Sequence, residues 1–254
     1  MKSWNLENKK ALVTGGSKGI GYAAVLQFLQ LGAEVIFTAR NEEEIKSVAS
    51  DLQSQGFKVT GIKADVTNEE DTTRVRQLIE EKWQRLDILF NNAGVNIRKR
   101  TVDYTTEEYK HVLGINLIAQ FELCRQLHPL LKASGKASVI NNGSIAGQFD
   151  VTTGSPYGIS KAGMIQLSKN LAVEWAPDGI RVNTISPGFT VTPLTKPLFA
   201  KQEKIDAIIQ RTPMKRVAEA DEMASVISFL AMDHSSFVTG QNITVDGGIS
   251  ASVF

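Results

Sequence analysis

Cysteine and histidine are scarce in this chain of 254 residues, which contains one cysteine and three histidines. Cys124 has no partner for an internal disulfide and no neighbouring cysteines for a zinc site, which fits a reduced, cytoplasmic compartment. His111, His128 and His234 are scattered along the chain, so they suggest neither a metal site nor a catalytic set. We therefore expect no metal, and we expect Cys124 to be a small buried hydrophobe in a helix.

A long apolar segment and an excess of charge are also absent. No apolar run approaches the length of a membrane span, and the polar segment 1–10 lacks the apolar core of a secretion signal. Lys and Arg total 28 against 27 for Asp and Glu, which argues against nucleic acid or an anionic membrane as a general partner. Hydrophobic residues make up 42% of the chain and no linker divides it, so we expect one domain over residues 1–254.

Short apolar strands alternate with amphipathic helices along the chain. The strands are expected at 11–13, 34–38, 58–63, 86–90, 137–140, 180–185 and 241–245. Helices are expected after the first glycine-rich turn and at 43–55, 69–83, 106–131, 155–175 and 221–232, with Thr106 as the cap of the long one. This alternation predicts an α/β fold in which a parallel sheet carries helices on both faces.

The first strand leads into a glycine-rich turn and then a helical pattern. The turn carries the spacing G-x3-G-x-G and contributes the candidate cofactor residues Gly15, Ser17, Lys18, Gly19, Ile20 and Gly21. Glycines let the backbone approach a pyrophosphate, and the helix N-terminus faces its negative charge. A glycine-rich turn alone also serves plain turns, but its position between a strand and a helix predicts a dinucleotide site.

The end of the second strand indicates which dinucleotide is preferred. An NAD site usually offers an acidic residue there to the ribose 2′-hydroxyl, and this chain has Ala39 and Arg40 instead. Arg40 and Lys18 can pair with a 2′-phosphate, although both can also be plain surface charges. We therefore expect NADP(H) as the cofactor.

Ser144, Tyr157 and Lys161 form the candidate catalytic set. Ser144 follows an apolar strand, while Ser155 and Pro156 read as the cap and first position of a helix. Tyr157 and Lys161 are four apart on that helix and share a face. A phenol has an ordinary pKa of about 10, and a nearby ammonium favours the phenolate. The set suits proton transfer to or from a substrate oxygen, although Tyr and Lys four apart also occur by chance.

The segment at about 189–215 contains Pro193, Pro197 and Pro213 and reads as irregular, with a short helix at 198–211. Beside a cofactor site such a segment is a candidate substrate lid. The alternative is a long surface loop.

Taken together, the motifs resemble those of the short-chain dehydrogenase/reductase family over nearly the whole chain. They are Thr14-Gly15-x3-Gly19-Ile20-Gly21, Asn91-Asn92-Ala93-Gly94, Asn116, Ser144, Tyr157-x3-Lys161 and Pro187-Gly188. The resemblance implies a single-domain, doubly wound Rossmann-type sheet of seven parallel strands with three helices on each face.

The resemblance also implies roles for individual residues. Ser144 would polarise a substrate carbonyl, and Tyr157 would donate a proton in reduction and accept one in oxidation. Lys161 would bind the nicotinamide ribose and lower the pKa of Tyr157, and Asn116 would hold a water that connects Lys161 to solvent. Further implied cofactor contacts are Asp65 and Val66 at adenine, Asn92, Ala93 and Gly94 along the adenosine side, and Pro187, Gly188 and Thr192 near the nicotinamide.

Several stretches, among them 91–97 and 192–194, are similar to those of the tropinone reductase group, whose members reduce cyclic ketones with NADPH. The resemblance therefore implies an NADPH-dependent carbonyl reductase for a small or medium, cyclic ketone. The substrate candidates are Asn96, Ile97, Ser144, Tyr157, Phe189, Leu194, Leu198 and Phe199. The apolar ones among them can equally be ordinary core or dimer packing.

Two other functions remain open. A 3-oxoacyl-[acyl-carrier-protein] reductase would use the same residues, with the basic run Arg98-Lys99-Arg100 facing an acidic carrier; that run can equally be a solvated loop. A non-catalytic NADP-binding protein would bind the cofactor without turnover. The family resemblance further implies a homotetramer or homodimer, and the apolar tail Ile249–Phe254 can dock on a neighbouring subunit or on its own sheet.

Overall fold

The computed structural model describes residues 4–252, so the last two residues of the apolar tail lie outside the described part. Seven strands form one sheet. They are β1 (Lys10–Thr14), β2 (Glu34–Ala39), β3 (Val59–Lys63), β4 (Ile88–Asn91), β5 (Ala137–Asn142), β6 (Ile180–Pro187) and β7 (Asn242–Val245). The α-helices of the described part are α1 (Gly19–Gln30), α2 (Glu42–Ser54), α3 (Glu69–Trp83), α4 (Thr106–Leu113), α5 (Ala119–Ser134), α6 (Ser155–Trp175), α7 (Lys196–Phe199), α8 (Gln202–Arg211) and α9 (Ala220–Ala231).

All neighbouring strands of the sheet are parallel, in the order β3-β2-β1-β4-β5-β6-β7. The chain moves outward from β1 to β3, returns to β4 on the other side of β1, and continues to β7. Ligands of open α/β sheets bind at the carboxyl ends of the strands, where the strand order reverses. The predicted seven-stranded parallel sheet is therefore confirmed, and its reversal point lies between β1 and β4.

Two apolar cores cover the two faces of the sheet. Alternate residues of β1 face opposite sides, so Val13 packs in one core and Leu12 in the other. The first core contains residues of α1, α2 and α9, and the second contains residues of α3, α5 and α6. The expected three helices on each face are thus present. Cys124 is buried in the second core, as predicted, and burial raises the pKa of its thiol to about 12.

The prediction of one long helix over 106–131 is wrong in two respects. Its N-cap is Thr105 rather than Thr106, because Thr105 and Glu108 bond reciprocally to each other's backbone N–H in a capping box. Its middle is a π-helix at Gly114–Ile118, which separates α4 from α5. Single π-helical turns inside α-helices are frequent at functional sites.

Two other predicted helix features are also wrong. Ser155 is the first residue of α6 and Gly154 is its N-cap, because the Ser155 hydroxyl lies 2.9 Å from the Thr101 hydroxyl instead of capping the helix. The single helix predicted over 198–211 is two helices, α7 and α8, because Lys201 has an extended backbone between them.

Candidate active site

The glycine-rich turn after β1 is built around close backbone contacts. Gly15 and Gly19 have φ angles of 66° and 57°, a region that L side chains rarely adopt. A Cβ on Gly21 would lie 2.1 Å from the carbonyl oxygen of Gly15, so that position admits only hydrogen. The turn therefore needs glycine for its own geometry.

The N-terminus of α1 has neither a side-chain cap nor an acidic residue to bond to its first backbone N–H groups. Its N-cap residue Lys18 makes no side-chain capping bond, and its first turn contains no acidic residue. By contrast, the Asn41 side chain caps α2, and three glutamates follow it. The first N–H groups of a helix carry partial positive charge and bind anions. The start of α1 thus fits the pyrophosphate of a dinucleotide.

The loop after β4 is fastened to the glycine-rich turn by Thr14. Its hydroxyl oxygen accepts bonds from the backbone N–H groups of Asn92 and Ala93, at 2.9 and 3.0 Å. The Asn92 side chain donates in turn to the carbonyl oxygens of Thr14 and Gly15, both at 3.0 Å. The structure thus brings the predicted residues Asn92 and Ala93 to the predicted turn. Thr14 was not among the predicted site residues, although it directly precedes Gly15.

Asn116 lies in the π-helix and is buried. Its side-chain amide forms two hydrogen bonds with the backbone of Val95: it accepts from the N–H at 2.8 Å and donates to the carbonyl at 2.9 Å. It also donates to the hydroxyl of Ser160 at 3.2 Å, and that hydroxyl donates to the Tyr157 carbonyl at 2.7 Å. Asn116 thereby joins the loop after β4 to the first turns of α6, where Tyr157 and Lys161 lie.

Lys161 is 4% exposed, and its ammonium donates to the carbonyl oxygen of Asn142 at 2.5 Å. Burial lowers the pKa of Lys161 to about 8. Asn142 is the last residue of β5, and sequence reasoning missed its part in the site. Any residue at that position offers a carbonyl, so no side-chain signal points to it.

Tyr157 is half-buried, and its pKa lies above the usual value. Burial raises the pKa of Tyr157, and the hydrogen bond with Ser144 and the positive charge of Arg98 oppose that rise without cancelling it. Lys161 is not among the causes of this shift: its ammonium lies 5.6 Å from the ring centroid and bonds to Asn142, so the expectation that Lys161 lowers the pKa of Tyr157 stays a prediction. Ser144 follows β5 and also accepts from the Ala146 N–H at 3.1 Å.

Charged residues gather at the ends of β2 and β3, where the adenosine part of a dinucleotide is expected. Burial favours a higher pKa for Asp65, but hydrogen bonds from Thr67 and the charge of Arg40 hold it below the usual value. Val66 follows and is half-buried. Arg40 is exposed and makes no salt bridge within residues 4–252, while Lys18 pairs with Glu44 at 3.1 Å.

The segment after β6 returns to the glycine-rich turn. Gly188 donates its N–H to Val245 at 2.9 Å, and Thr190 forms an isolated parallel bridge with Ala218 that closes the base of the segment. A Cβ built on Gly19 would lie 3.4 Å from the Cβ of Thr192. The structure thus places Thr192, predicted to bind the cofactor, against the start of α1.

The predicted substrate residues are spread over three segments. Asn96 donates to the hydroxyl of Thr153 at 2.6 Å, and the Ile97 carbonyl accepts from Tyr104. These bonds join the loop after β4 to the segment that leads into α6. The remaining candidates lie after β6: Phe189 lines a small cavity with Thr212, Met214 and Val217, Leu194 is exposed, and Leu198 and Phe199 are half-buried on α7.

Within residues 4–252, no helix has the length and apolar character needed to cross a membrane. In the same range, no three His, Cys, Asp or Glu side chains are grouped in a way that could hold a metal ion.

The chain is similar in sequence to known proteins over nearly its whole length. A family model described as enoyl-(acyl carrier protein) reductase matches residues 15–250. The chain is 41% identical over 254 residues to a tropinone reductase homolog of Arabidopsis thaliana, covering 100% of this chain and 96% of that protein. It is 38% identical over 257 residues to a tropinone reductase homolog of Datura stramonium, again covering 100% and 96%.

Solved structures show the same fold. A gluconate 5-dehydrogenase from Burkholderia cenocepacia in complex with NADP and tartrate superposes with a TM-score of 0.94, at 29% identity and 98% coverage of both chains. A short-chain type dehydrogenase/reductase from Mycobacterium marinum superposes with a TM-score of 0.92, also at 29% identity and 98% coverage of both chains.

Fold, site and relatives together define an oxidoreductase of the type that interconverts CH–OH and ketone groups with a nicotinamide cofactor. The chain belongs to the short-chain dehydrogenase/reductase family, and its relatives include tropinone reductase homologues.

Proposed function

We propose that the protein is an NADPH-dependent carbonyl reductase for a small or medium-sized cyclic ketone. The observation that carries this proposal is the cluster of Ser144, Tyr157, Lys161 and Asn116 at the carboxyl edge of the sheet, beside the uncapped start of α1. The bound nicotinamide would supply a hydride to the carbonyl carbon. The protein supplies the proton and holds the carbonyl oxygen.

The raised pKa of Tyr157 suits the reductive direction. Because its phenol keeps its proton at neutral pH, it can donate that proton to the substrate oxygen as the carbon receives the hydride. The Ser144 hydroxyl, which is bonded to the phenol, donates a hydrogen bond to the same oxygen. The Lys161 ammonium, charged below about pH 8, stabilises the phenolate that remains.

Asn116 acts as a positioning residue in this scheme, since its amide fixes Val95 and Ser160 on either side of the cluster. The water that the family resemblance implies at Asn116 stays a prediction. Residues 189–215 are proposed as the substrate lid, because Thr192 lies against the glycine-rich turn while Leu194 remains exposed.

The preference for NADPH rests on charge. Residue 40, after β2, is an arginine rather than an acid, and Lys18 lies on the neighbouring turn. A 2′-phosphate carries about −1.5 to −2 charges near neutral pH, which favours two nearby cations. A structural neighbour at 29% identity holds NADP, which supports the same choice.

Parallel reduction of tropinone with NADPH and with NADH tests the proposal. We expect turnover of tropinone, as the names of the relatives suggest. We expect it to be much faster with NADPH than with NADH, because Lys18 and Arg40 can pair with the 2′-phosphate. Tight NADPH binding without tropinone turnover would redirect the search to other cyclic ketones. No turnover on a panel of cyclic ketones would contradict the proposed reaction.

The second candidate is a reductase of 3-oxoacyl thioesters on acyl carrier protein, which the description of the matching family model favours. Arg98, Lys99 and Arg100 are exposed, and Lys99 is paired with Glu108 at 2.5 Å. Arg98 and Arg100 make no salt bridge within residues 4–252, so they are open to an acidic carrier. Replacing Lys99 and Arg100 by Ala, while keeping Arg98 because its charge acts on Tyr157, would weaken carrier binding and spare small-ketone reduction. Unchanged carrier binding would reject this candidate.

We also propose a homotetramer or homodimer in the cytoplasm. Large apolar side chains are exposed around α5 and α6, namely Ile118, Phe121, Ile159 and Val173. Exposed apolar patches of this kind mark protein interfaces. Light scattering would give a multiple of the chain mass of 27.8 kDa, and a monomer would contradict the proposal.

A further inference from the structure

The carboxylate of Glu44 is hydrogen-bonded to two side chains that are predicted to bind the cofactor, those of Ser17 and Lys18. One of its oxygens lies 3.1 Å from the Lys18 ammonium, and the other accepts from the Ser17 hydroxyl at 3.1 Å. Hydrogen bonding to Lys18 lowers the pKa of Glu44; burial opposes this effect, and the bond from Ser17 adds to it. Glu44 is therefore ionised at neutral pH, and its charge lies on the glycine-rich turn.

The sheet brings these residues together. β1 and β2 are neighbours, and Gly16 donates its N–H to the Thr38 carbonyl at 3.0 Å. The turn after β1 and the first turn of α2 after β2 consequently meet at one edge. α2 opens with three glutamates, of which Glu42 pairs with Lys46 and Lys63 on the other side. Glu44 is the one that bonds to the turn.

We propose that Glu44 is an internal competitor for the cofactor's 2′-phosphate and sets how strongly NADPH is preferred over NADH. This inference rests on the proposed function, which assigns Lys18 and Arg40 to that phosphate. A 2′-phosphate competes with the carboxylate for Lys18, because two anions beside one ammonium repel each other. A free 2′-hydroxyl leaves the Glu44–Lys18 pair intact.

The test compares the wild type with Glu44→Gln and with the matched control Glu43→Gln. Glu43 lies in the same helical turn, and the control removes the same charge, but Glu43 makes no salt bridge within residues 4–252. Calorimetry would measure the Kd of NADPH, NADH and adenosine 2′,5′-bisphosphate. In Glu44→Gln we expect NADPH and adenosine 2′,5′-bisphosphate to bind about three- to tenfold more tightly, which is the range expected from losing an exposed ion pair together with the removed repulsion. The Kd of NADH should change by less than about twofold.

A double-mutant cycle makes the test specific. In a Lys18→Met background, the gain from Glu44→Gln should be smaller than in the wild type, because the competition for the Lys18 ammonium is gone and only the repulsion between the carboxylate and the phosphate remains. Unchanged or weaker NADPH binding in Glu44→Gln would overturn the inference, as would an equal gain in Glu43→Gln. A wild type that prefers NADH, with a gain for NADPH in Glu44→Gln, would overturn the proposed cofactor preference and support the role of Glu44.

Discussion

Lys161 is a charged side chain held in a buried site, and its titration gives the proposed reaction a definite pH dependence. Its pKa of about 8 lies below the ordinary value, so the ammonium is present below about pH 8 and is lost above it. The proposed role requires the ammonium. We expect kcat/KM for ketone reduction to fall as the pH rises through about 8.

Lys161→Arg is the matched control, since a guanidinium stays charged at that pH. Residual activity in this variant should persist to higher pH than in the wild type. A wild-type profile that stays flat well above pH 8 would contradict the role of the Lys161 charge.

The same burial predicts a conflict between activity and stability. The lowered pKa means that the unfolded chain binds more protons than the folded one between about pH 8 and 10.5, so this residue's contribution to stability increases with pH in that window. At neutral pH the buried charge is unfavourable. Lys161→Met should abolish activity yet raise the free energy of unfolding by about 1–3 kcal/mol, after allowance for the unpaired Asn142 carbonyl.

Chemical denaturation at pH 7 measures this effect. The exposed Lys169 on the same helix provides the control, and Lys169→Met should change the stability by less than about 0.5 kcal/mol. A destabilised Lys161→Met would show that the ammonium is better compensated than its lowered pKa indicates.

At the residue scale, helical spacing was enough to place Tyr157 and Lys161 together. The direction of the Tyr157 pKa shift could not be predicted in this way, because it depends on how much of the phenol the surrounding chain buries. Asn142 contributes a backbone carbonyl, which every residue type has, so its role is invisible in the sequence.

The glycine-rich turn and α1 act as one element, and Gly21 is where they touch. An added methyl group would lie 2.1 Å from the Gly15 oxygen and 2.5 Å from the Asn92 side chain, so the turn would have to open. Gly21→Ala should weaken cofactor binding at least about tenfold and lower the free energy of unfolding by about 2 kcal/mol or more.

Gly114→Ala is the control for this substitution. Gly114 has a helical backbone, and within residues 4–252 an added Cβ would have no neighbour within 4 Å outside its own helix backbone. Its stability and cofactor Kd, measured by denaturation and calorimetry, should stay close to those of the wild type. Wild-type cofactor affinity in Gly21→Ala would contradict the assignment of the turn.

At the element scale, the alternation of strands and helices could be predicted, and the π-helix that carries Asn116 could not. Apolar periodicity continues from α4 into α5, and one widened turn changes it too little to be read. Thr105 and Thr106 are both suitable caps, and only the reciprocal bond with Glu108 distinguishes them.

A buried polar chain runs across the middle of the molecule. Asn91 on β4 donates to Asn141 on β5 at 2.8 Å, and Asn141 donates to Ser168 on α6 at 2.8 Å. Thr184 on β6 donates to the same Ser168 hydroxyl at 2.7 Å. Since Asn141 is fully buried, Asn141→Ala would remove one bond on each side and leave the Asn91 amide with only the weak Cys124 acceptor, which should cost about 2–4 kcal/mol of folding free energy.

Denaturant unfolding measures the loss, with Asn170→Ala as the control. Asn170 is exposed, and within residues 4–252 its side chain bonds only to Gln166. Removing its amide should therefore change the free energy of unfolding little. Equal stability of the two variants would show that the buried chain contributes nothing beyond surface bonds.

At the scale of the whole molecule, the parallel seven-stranded sheet could be predicted because the order of strands, helices and motifs restricts the topology. The segment 189–215 could not be predicted in detail, because its fixed points are backbone bonds such as those between Thr190 and Ala218. Backbone bonds cannot be inferred from the pattern of side chains, so the detailed path of the proposed substrate lid was not predictable.

The most direct test of the account is Tyr157→Phe, which removes one hydroxyl and keeps the ring. Cofactor affinity and ketone turnover would be measured on the same preparation. The account predicts an NADPH Kd within about threefold of the wild type and a kcat lower by about 10²–10⁴, the usual contribution of a positioned proton donor. Turnover near the wild-type rate would contradict the central claim that Tyr157 delivers the proton.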